Sequence, residues 1–375
     1  MKIGIVCYPT HGGSGVIASE LALGLAALGH EIHIVSYATP FRLASFHQNV
    51  FIHEVEVSSY PLFKYPPYAL SLATKLVDVC KQYGLDLIHS HYAVPHAASA
   101  YLAKQMLGSK KLKTVTTLHG TDITLVGLDK SFYQVIKFNI EESDGVTAVS
   151  EYLQKRTQEE FAIQREIRVI HNFVDTERFS GSANNCTKDH FAPNGEKILM
   201  HASNFRPVKR VTDVVRIFAT IRKQLPVKLL LVGEGPERLF VQQLVKELKL
   251  SEDVLFLGEQ EYIGQLMNCA DLFFLPSEQE SFGLVALEAQ SCGVPVIGAA
   301  TGGLPEVVED GKTGFLLPVG DIAGMAQKSL ELLSNDDQYA AFNKESRKRV
   351  LDCFDSKSII PQYEAFYKEI LNKRG

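Results

Sequence analysis

The chain has 375 residues, of which 46% are hydrophobic and 22% are charged, and its formal net charge is −5. This length predicts two domains of ordinary size, each able to bury its own core. The acidic balance argues against nucleic acid as a generic partner, and no apolar run is long enough to span a membrane.

The cysteines are dispersed along the chain and include no Cys-x-x-Cys pair, which argues against a zinc site or a disulfide framework. We therefore expect all of the thiols to be reduced, as in a cytoplasmic protein. The cysteines are Cys7, Cys80, Cys186, Cys269, Cys292 and Cys353.

Short apolar, β-branched runs alternate with helical patterns throughout the chain. This alternation predicts an α/β protein with two doubly wound parallel sheets in tandem. The strands predicted in the first half are Lys2–Tyr8, Glu31–Tyr37, Val50–Val57, Leu85–His89, Thr114–Leu118 and Val146–Val149. Those predicted in the second half are Lys197–Ala202, Val227–Val232, Val254–Leu257, Leu272–Leu275 and Val294–Ile297.

The boundary between the two domains is predicted near residue 171. The segment Ile170–Thr176 leads into a polar stretch at 180–185, which is typical of a linker. We place the first domain at residues 1–171 and the second at 172–353. Ligands of open α/β sheets bind at the carboxyl ends of the strands, so two facing domains are expected to hold a substrate in the cleft between them.

A glycine-rich loop, Gly12–Gly15 (GGSG), separates the first predicted strand from a helix. Glycines at such a position permit a tight turn and let backbone amides meet an anion at the helix N-terminus. The spacing is not that of the dinucleotide fingerprint, and a plain strand-to-helix turn is the alternative interpretation.

Histidines follow two further predicted strands of the first half. The segment Thr117–Asp122 (TLHGTD) places His119 at a strand end, where an imidazole can meet a ligand; alternatively, Thr121 or Asp122 caps the next helix and His119 only packs. His89 and His91 lie on one face of an extended chain, but no third ligand makes them a metal site.

A basic loop, Ser203–Arg210 (SNFRPVKR), directly follows the first predicted strand of the second half. Its three cations suit a diphosphate, because arginine and lysine supply charge and hydrogen bonds to phosphate oxygens. A solvated basic turn is the alternative. Glycine turns at Gly233–Pro236 and Thr301–Gly303 also follow strands, and taken singly each is more typical of structure than of binding.

Two carboxylates bracket the segment Glu280–Glu288 (ESFGLVALE). Eight positions along a helix span about 12 Å, which is long enough to bracket a diphosphate with a polyol at each end. The amides of residues 282–284 would open the helix and face the diphosphate. An amphipathic helix with two solvated glutamates is the alternative.

Taken together and in this order, the motifs resemble those of the retaining glycosyltransferases of family 4, and the likeness spans essentially the whole chain. The resemblance implies the GT-B fold, in which two Rossmann-like domains face each other across a cleft. The first domain would bind the acceptor and the second the nucleotide-sugar donor. A last helix at about 354–375 would return to the first domain, and the apolar spacing of Tyr363, Phe366, Tyr367 and Ile370 fits such a helix.

The resemblance also implies roles for individual residues. Glu288 would bind the ribose hydroxyls, Glu280 the hydroxyls of the donor sugar, and Lys209 a phosphate. Asn204 stands where many members have arginine, so Arg206 or Arg210 would supply that charge. The catalytic residues implied are His119, Arg206, Lys209 and Glu280. The donor-binding residues implied are Gly13, Gly15, Asn204, Arg206, Lys209, Arg210, Gly233, Glu280, Phe282, Gly283, Leu284 and Glu288.

A narrower likeness is to the members of family 4 that open bacillithiol biosynthesis by moving N-acetylglucosamine from UDP-N-acetylglucosamine to L-malate. It is carried by Cys7–Pro9, Gly12–Gly15, Pro40–Leu43, Phe63–Tyr68, His91–His96, His119–Asp122 and Asn204–Arg210. The acceptor is a small dicarboxylate, which needs cations and hydroxyl donors. The candidates are Ser14, Lys64, Tyr92 and Thr121, with Arg42 a weaker one; ordinary surface charge is the alternative for Lys64 and Arg42.

No residue has a clear claim to be a general base, which fits a front-face retaining mechanism in which the departing UDP takes the acceptor proton. A double displacement would need a carboxylate nucleophile, for which Asp122 is the nearest candidate. No metal is expected, because cations replace it and no Asp-x-Asp motif occurs. Alternatives are another donor or acceptor, a GT-B epimerase or a nucleotide-sugar sensor; the oligomeric state is left open.

Overall fold

The computed structural model describes residues 1–10, 12–58, 61–62, 64–108, 111–124, 127, 129–181, 188–261 and 263–373. Four parts of the sequence expectations lie outside these residues. They are Phe63 of the motif 63–68, residues 182–185 of the expected linker, the thiol of Cys186, and residues 374–375 of the expected last helix.

The chain divides into two compact units. Unit 1 comprises Met1–Asn172 and Lys357–Gly375, and unit 2 comprises Phe173–Ser356. Each unit contains one parallel sheet covered by helices, so the prediction of two Rossmann-like halves is confirmed. The assignment of one half to the acceptor and the other to the donor stays a prediction.

The sheet of unit 1 has seven strands in the order β3-β2-β1-β4-β5-β6-β7. Their bounds are β1 Lys2–Val6, β2 Glu31–Ser36, β3 Val50–Glu54, β4 Leu87–His91, β5 Lys113–Leu118, β6 Gly145–Ala148 and β7 Arg168–Val169. The helices are α1 Gly13–Ala27, α2 Tyr68–Tyr83, α3 Ala98–Leu107, α4 Thr121–Thr124, α5 Lys130–Glu142, α6 Glu151–Phe161 and α15 Ser356–Asn372. Most central-strand residues are fully buried because helices cover both faces of the sheet.

The sheet of unit 2 has six strands in the order β10-β9-β8-β11-β12-β13. Their bounds are β8 Lys197–Ala202, β9 Val227–Val232, β10 Val254–Gly258, β11 Leu272–Leu275, β12 Val296–Ala299 and β13 Gly314–Leu317. The helices are α7 Lys188–Phe191, α8 Val211–Arg222, α9 Arg238–Glu247, α10 Ile263–Met267, α11 Leu284–Ser291, α12 Leu304–Val307, α13 Ile322–Leu333 and α14 Asp336–Cys353. Its core includes Phe205, Phe218 and Phe274, none of which is exposed.

Both sheets reverse their strand order at one point, between β1 and β4 in unit 1 and between β8 and β11 in unit 2. Such a switch point opens a crevice at the carboxyl ends of the two strands, because their connections leave in opposite directions. The loops that flank the crevices therefore follow β1, β4, β8 and β11. These loops contain most of the candidate residues.

The last helix packs within unit 1. Tyr363, Phe366, Tyr367 and Ile370 are all buried. A Cβ on Gly24 of α1 would lie 2.2 Å from Ile360 Cδ1, so α1 and α15 approach closely there and a larger residue would require the Ile360 side chain to shift. The Tyr367 hydroxyl lies 2.7 Å from His89 Nδ1 and ties the helix to β4.

The expectation that every thiol is reduced is wrong for Cys269, which is disulfide-bonded. Cys7, Cys80, Cys292 and Cys353 are free thiols. Burial raises the pKa of both Cys7 and Cys292 to about 12, so neither is a reactive thiolate at neutral pH.

Among the helices that the structure describes, none combines the length and the apolar character needed to cross a bilayer.

Candidate active site

At the switch point of unit 1, a hydrogen bond between two hydroxyls connects the first turn of α1, which follows β1, to the loop after β4. The Tyr92 phenol donates to Ser14 Oγ at 2.7 Å. The Thr121 side chain, like the Ser14 hydroxyl, lowers the pKa of the phenol, but burial outweighs both and raises the pKa of Tyr92 to about 12. Three of the four predicted acceptor residues therefore form one neutral group, which we term the hydroxyl cluster: Ser14, Tyr92 and Thr121.

Backbone geometry holds this cluster in place. Tyr92 adopts a φ of 90°, a conformation that is costly for a side chain of this size. A Cβ on Gly15 would lie 2.4 Å from the Thr10 carbonyl oxygen, so the tight turn that starts α1 requires glycine there. Gly13 is the first residue of α1 and is exposed.

His119 follows β5, one strand farther from the switch point. Its Nε2 lies 2.8 Å from His91 Nδ1, and the two rings stack with centroids 5.0 Å apart. The Tyr92 ring lies beside it, with a centroid distance of 5.2 Å. Burial and the nearby His96 lower the pKa of His119 to about 3, so its imidazole is neutral at physiological pH.

Asp122 is a backbone anchor for these loops. Its side chain is 2% exposed and accepts hydrogen bonds from the amides of Ala93 at 3.0 Å, Gly120 at 3.0 Å and His119 at 3.3 Å. Burial raises the pKa of Asp122 to about 6, although these donors lower it. The carboxylate joins the loops after β4 and β5, which accords with the structural interpretation of this residue.

The two remaining acceptor candidates have other surroundings. Lys64 is exposed, and its ammonium lies 5.5 Å from the centroid of the Tyr65 ring. Arg42, the weaker candidate, lies in a 3-10 turn at Phe41–Leu43 and pairs with Glu20 at 3.4 Å. The described residues give no contact between either cation and the hydroxyl cluster.

The switch point of unit 2 joins the loops after β8 and β11 through an ion pair. Lys209 Nζ donates to Glu280 Oε1, and the Ser277 hydroxyl donates to the same oxygen at 3.0 Å. The side chains of Lys209 and Glu280 are only 21% and 10% exposed. We term these three residues the ion-pair cluster; one Glu280 oxygen is occupied by lysine and serine.

The remaining cations of the basic loop differ in surroundings. Arg210 donates to Asp213 Oδ2 from Nη2 at 2.6 Å and from Nε at 2.7 Å, and its Nη1 lies 3.8 Å from Glu278 Oε1. Arg206 and Asn204 are exposed. Arg206 is therefore the cation of this loop that forms no ion pair among the residues that the structure describes.

Glycines shape the neighbouring turn. A Cβ on Gly233 would lie 1.9 Å from the Ser203 carbonyl oxygen, and one on Gly235 would lie 2.0 Å from that of Asn204. The loops after β8 and β9 thus pack backbone to backbone, which no larger residue permits.

The helix α11 begins later than the eight-residue helical span considered from the sequence. It starts at Leu284, with Gly283 as N-cap at a φ of 98°, and Glu280 lies in the preceding loop. Glu288 is in the second turn and is 7% exposed. Phe282 is 2% exposed, and its ring packs edge-to-face on that of Phe354.

No group of three or more His, Cys, Asp or Glu side chains in the described part of the chain could hold a metal ion.

Sequence reasoning named His91 and Asp122 but not their contacts to His119 and to the Ala93 amide, and it did not consider Ser277 as a site residue. His91 ends β4, Ser277 follows β11, and Asp122 lies in α4. A signal was present for His91, since it shares the strand face of His89, and their ring centroids are 4.5 Å apart. Ser277 had no such signal, because its role depends on the position of Glu280.

Two family models match the chain, one in each half. The Glycosyltransferase Family 4 model matches residues 11–178, and the model described as Glycosyl transferases group 1 matches residues 184–349. The N-acetyl-alpha-D-glucosaminyl L-malate synthase of Bacillus anthracis is 48% identical over 373 residues, which cover 99% of this chain and 97% of that enzyme. The chain belongs to glycosyltransferase family 4.

Other family 4 relatives match less of the chain. The D-inositol 3-phosphate glycosyltransferase of Mycolicibacterium smegmatis is 36% identical over 194 residues, which cover 49% of this chain and 43% of that enzyme. Among solved structures, Anabaena HepE in complex with UDP and glucose has a TM-score of 0.83 at 22% identity, covering 98% of this chain and 99% of HepE. Sucrose-phosphate synthase of Thermosynechococcus elongatus has a TM-score of 0.82 at 23% identity, with both chains covered fully. These structures establish the fold, and the chain is a glycosyltransferase of GT-B architecture.

Proposed function

We propose that this family 4 glycosyltransferase moves N-acetylglucosamine from UDP-N-acetylglucosamine to the hydroxyl of L-malate with retention of anomeric configuration. This would be the first step of bacillithiol biosynthesis. The observation that carries the proposal is the 48% identity, over nearly the full length of both chains, to the Bacillus anthracis synthase.

In unit 2, the ion-pair cluster and α11 are assigned to the donor. Lys209 would bind the diphosphate and stabilise its charge as the sugar departs, and its place beside Glu280 is preorganised by Ser277. Glu280 keeps a second carboxylate oxygen for a hydroxyl of the sugar. Arg206 is unpaired among the described residues and would supply the further cation, while Arg210 is committed to Asp213.

The start of α11 is assigned to the diphosphate and its second turn to the ribose. The amides of Phe282, Gly283 and Leu284 stand at a helix N-terminus, which attracts anions. Glu288 is four residues into the helix and nearly buried, where a carboxylate accepts two hydroxyl protons well. Gly233 permits the close turn beside the basic loop. Asn204 and the amide of Gly13 complete the proposed donor contacts. The amide of Gly15 donates to the Gly12 carbonyl at 3.1 Å, so Gly15 would contribute by forming the tight turn.

In unit 1, the hydroxyl cluster is assigned to malate and His119 to the donor sugar. Ser14, Tyr92 and Thr121 offer hydroxyl donors in one group, which suits carboxylate oxygens. Lys64 would supply the cation that a dicarboxylate requires. His119 would donate or accept one hydrogen bond as a neutral imidazole.

Retention is proposed through front-face displacement. The bond from the sugar C1 to the phosphate oxygen breaks, the malate oxygen bonds to C1 on the same face, and the malate proton passes to the departing phosphate oxygen. The alternative needs a free carboxylate nucleophile, and Asp122 is a poor one because three backbone amides already occupy it.

The test is incubation of the protein with UDP-N-acetylglucosamine and a panel of acceptors, with UDP release and product mass as readouts. The panel contains L-malate, D-malate, another hydroxy acid, inositol 3-phosphate and buffer alone. We expect malate-dependent UDP release, an α-linked product by NMR, and no loss of rate in EDTA. Release that requires inositol phosphate, or none with malate, would overturn the acceptor assignment; an inverted product would overturn the mechanism.

A further inference from the structure

His91 lies behind His119 and offers it a hydrogen bond from a fully buried position. Its Nδ1 lies 2.8 Å from His119 Nε2, and its side chain is 0% exposed. Its other nitrogen, Nε2, is buried and meets no hydrogen-bond partner among the described residues. In the described part of the chain, the His91 ring makes no other hydrogen bond that would determine which of its nitrogens carries the proton.

The two possible arrangements of the shared proton differ in cost. If His119 Nε2 carries the proton, a neutral His91 must hold its own proton on Nε2, where it is a buried donor without an acceptor. If His91 Nδ1 carries the shared proton instead, the Nε2 of His91 holds only a lone pair. A buried donor without a partner is the rarer and more costly state, so the second arrangement is favoured.

The neighbouring His96 follows the same pattern. Its Nδ1 lies 2.5 Å from the His91 carbonyl oxygen. A carbonyl can only accept, so His96 must carry its proton on Nδ1. Its buried Nε2 also meets no partner among the described residues and therefore holds a lone pair. The pocket thus already contains one imidazole in the form that we assign to His91.

We infer that His91 is a positioning residue, which donates from Nδ1 to His119 Nε2 and thereby fixes His119 as the Nδ1–H tautomer. With Nε2 of His119 accepting, a neutral ring must carry its proton on Nδ1. That atom forms no hydrogen bond to the described residues. His119 therefore presents a neutral N–H donor, and it selects for an acceptor oxygen, such as a hydroxyl or carbonyl oxygen of a sugar substituent.

The identity of that oxygen rests on the proposed function, but the tautomer does not. Proton positions are assigned from the hydrogen-bond network, so they require a direct measurement. The full chain labelled with 15N-histidine gives the tautomer of each ring from its nitrogen shifts and its couplings to the ring protons. Spectra of His91→Asn and His119→Gln identify the two rings by the signals that disappear. We expect Nδ1–H for both; an Nε2–H form of His119 would overturn the inference.

Two variants separate positioning from packing. His91→Phe keeps the ring volume but has no donor, whereas the amide of His91→Asn can reproduce the Nδ1–H donor. We expect the Phe variant to lower kcat/KM for the nucleotide sugar about tenfold, mostly in kcat, with UDP affinity unchanged, and the Asn variant to restore much of this loss. An active Phe variant that keeps the unaltered tautomer of His119 would overturn the inference.

The two proposals fail in different ways. Loss of malate-dependent turnover in the unmodified chain would remove the proposed function and leave the tautomer spectrum untouched. An Nε2–H spectrum for His119 in an active enzyme would remove this inference and leave the proposed function standing.

Discussion

The two units connect the segments at their switch points with different kinds of side-chain bond, a neutral one in unit 1 and a charged one in unit 2. At each switch point one side-chain bond joins the segments that follow the two central strands. In unit 1 it is the Tyr92–Ser14 bond between two hydroxyls, and in unit 2 it is the Lys209–Glu280 ion pair. The sheets around them share the same order of neighbours, so the difference lies in the loops and not in the scaffold.

The difference extends to the buried groups around each bond. In unit 1, His96 and His119 lie beside Tyr92 of the hydroxyl cluster, His91 contacts His119, and His89 contacts His91. Burial keeps all four imidazoles neutral. Unit 2 arranges cations and carboxylates instead, with Arg210 and Asp213 beside the ion-pair cluster. A diphosphate requires fixed charge, whereas hydroxyl-rich groups require neutral donors and acceptors. This contrast is what the proposed division of roles, with the donor diphosphate bound in unit 2 and the acceptor in unit 1, would require.

Of the substitutions considered, the loss of the Lys209 charge in unit 2 is expected to reduce activity most. We expect Lys209→Ala to lower kcat/KM by about 10²- to 10³-fold, because a positioned charge that stabilises the departing diphosphate is lost. Steady-state kinetics with UDP release as readout measure this. The matched control is Lys312→Ala, which removes an exposed lysine of the same unit that pairs with Glu309. Equal activities of the two variants would contradict the role given to Lys209.

We expect a fall in pH to destabilise unit 1 more than unit 2. Burial lowers the pKa of His89 to about 3 and of His96 to about 4, and that of His91 well below 6.5. Between pH 6.5 and about 4, the folded unit 1 binds fewer protons than the unfolded chain, so its stability falls as the pH falls. For each of these imidazoles the free energy of unfolding falls by up to about 1.4 kcal/mol per pH unit, and this loss stops once the pH reaches the pKa of the folded state.

Unit 2 is the internal control for this effect, because of its two histidines, His190 and His201, only His201 is buried. Hydrogen exchange of the β4–β5 and β8–β9 amides, corrected for intrinsic rates, gives the opening free energy of each sheet. On acidification from pH 6.5 to 5.5 we expect the larger loss in β4 and β5. Parallel losses in both sheets would show that the imidazole group does not set the acid response.

The strands of the two sheets differ in how well the sequence predicted their bounds. The strands β8, β9 and β11 have the predicted bounds, because short apolar runs flanked by turn or polar residues are a strong signal. β7 at Arg168–Val169 and β13 at Gly314–Leu317 were not predicted: one has only two residues and the other begins with glycine. β4 ends at His91 instead of His89, which places His91 within the strand.

The candidate residues were predictable one by one, but their pairing was not. Lys209 and Glu280 are 71 positions apart, and Ser14 and Tyr92 are 78 apart. Whether such loops meet depends on which strands become neighbours at the switch point, and this is decided by crossover connections that no local pattern encodes. The Arg210–Asp213 pair, at three positions apart, was visible in principle.

A substitution of Glu288 in unit 2 is expected to have a smaller effect than that of Lys209, and on UDP binding. We expect Glu288→Gln to weaken UDP binding about tenfold, since the amide retains one acceptor oxygen and loses the charge that strengthens hydrogen bonds from ribose. Isothermal titration with UDP measures this directly. Glu331→Gln on α13 is the control, because it neutralises an exposed carboxylate that pairs with Lys328. Unchanged UDP affinity in the Glu288 variant would remove this residue from the donor site.

Substitutions in the hydroxyl cluster of unit 1 are expected to change the malate KM only slightly, and the effects of two such substitutions should depend on each other. We expect Tyr92→Phe to raise the KM for malate about fivefold while leaving UDP affinity unchanged, because one neutral hydrogen bond contributes about 1 kcal/mol. Tyr101→Phe is the matched control in the same unit, where the ring packs edge-to-face on Phe138.

Combining Tyr92→Phe with Ser14→Ala decides whether the two hydroxyls act together. The phenol donates to Ser14, so each single change disrupts the same bond, and the double variant should lose less than the product of the two single losses. Strict additivity in the malate KM would mean that each hydroxyl meets the acceptor separately. In that case the bond across the switch point of unit 1 would serve the fold alone, and the parallel with the Lys209–Glu280 pair would hold for structure but not for binding.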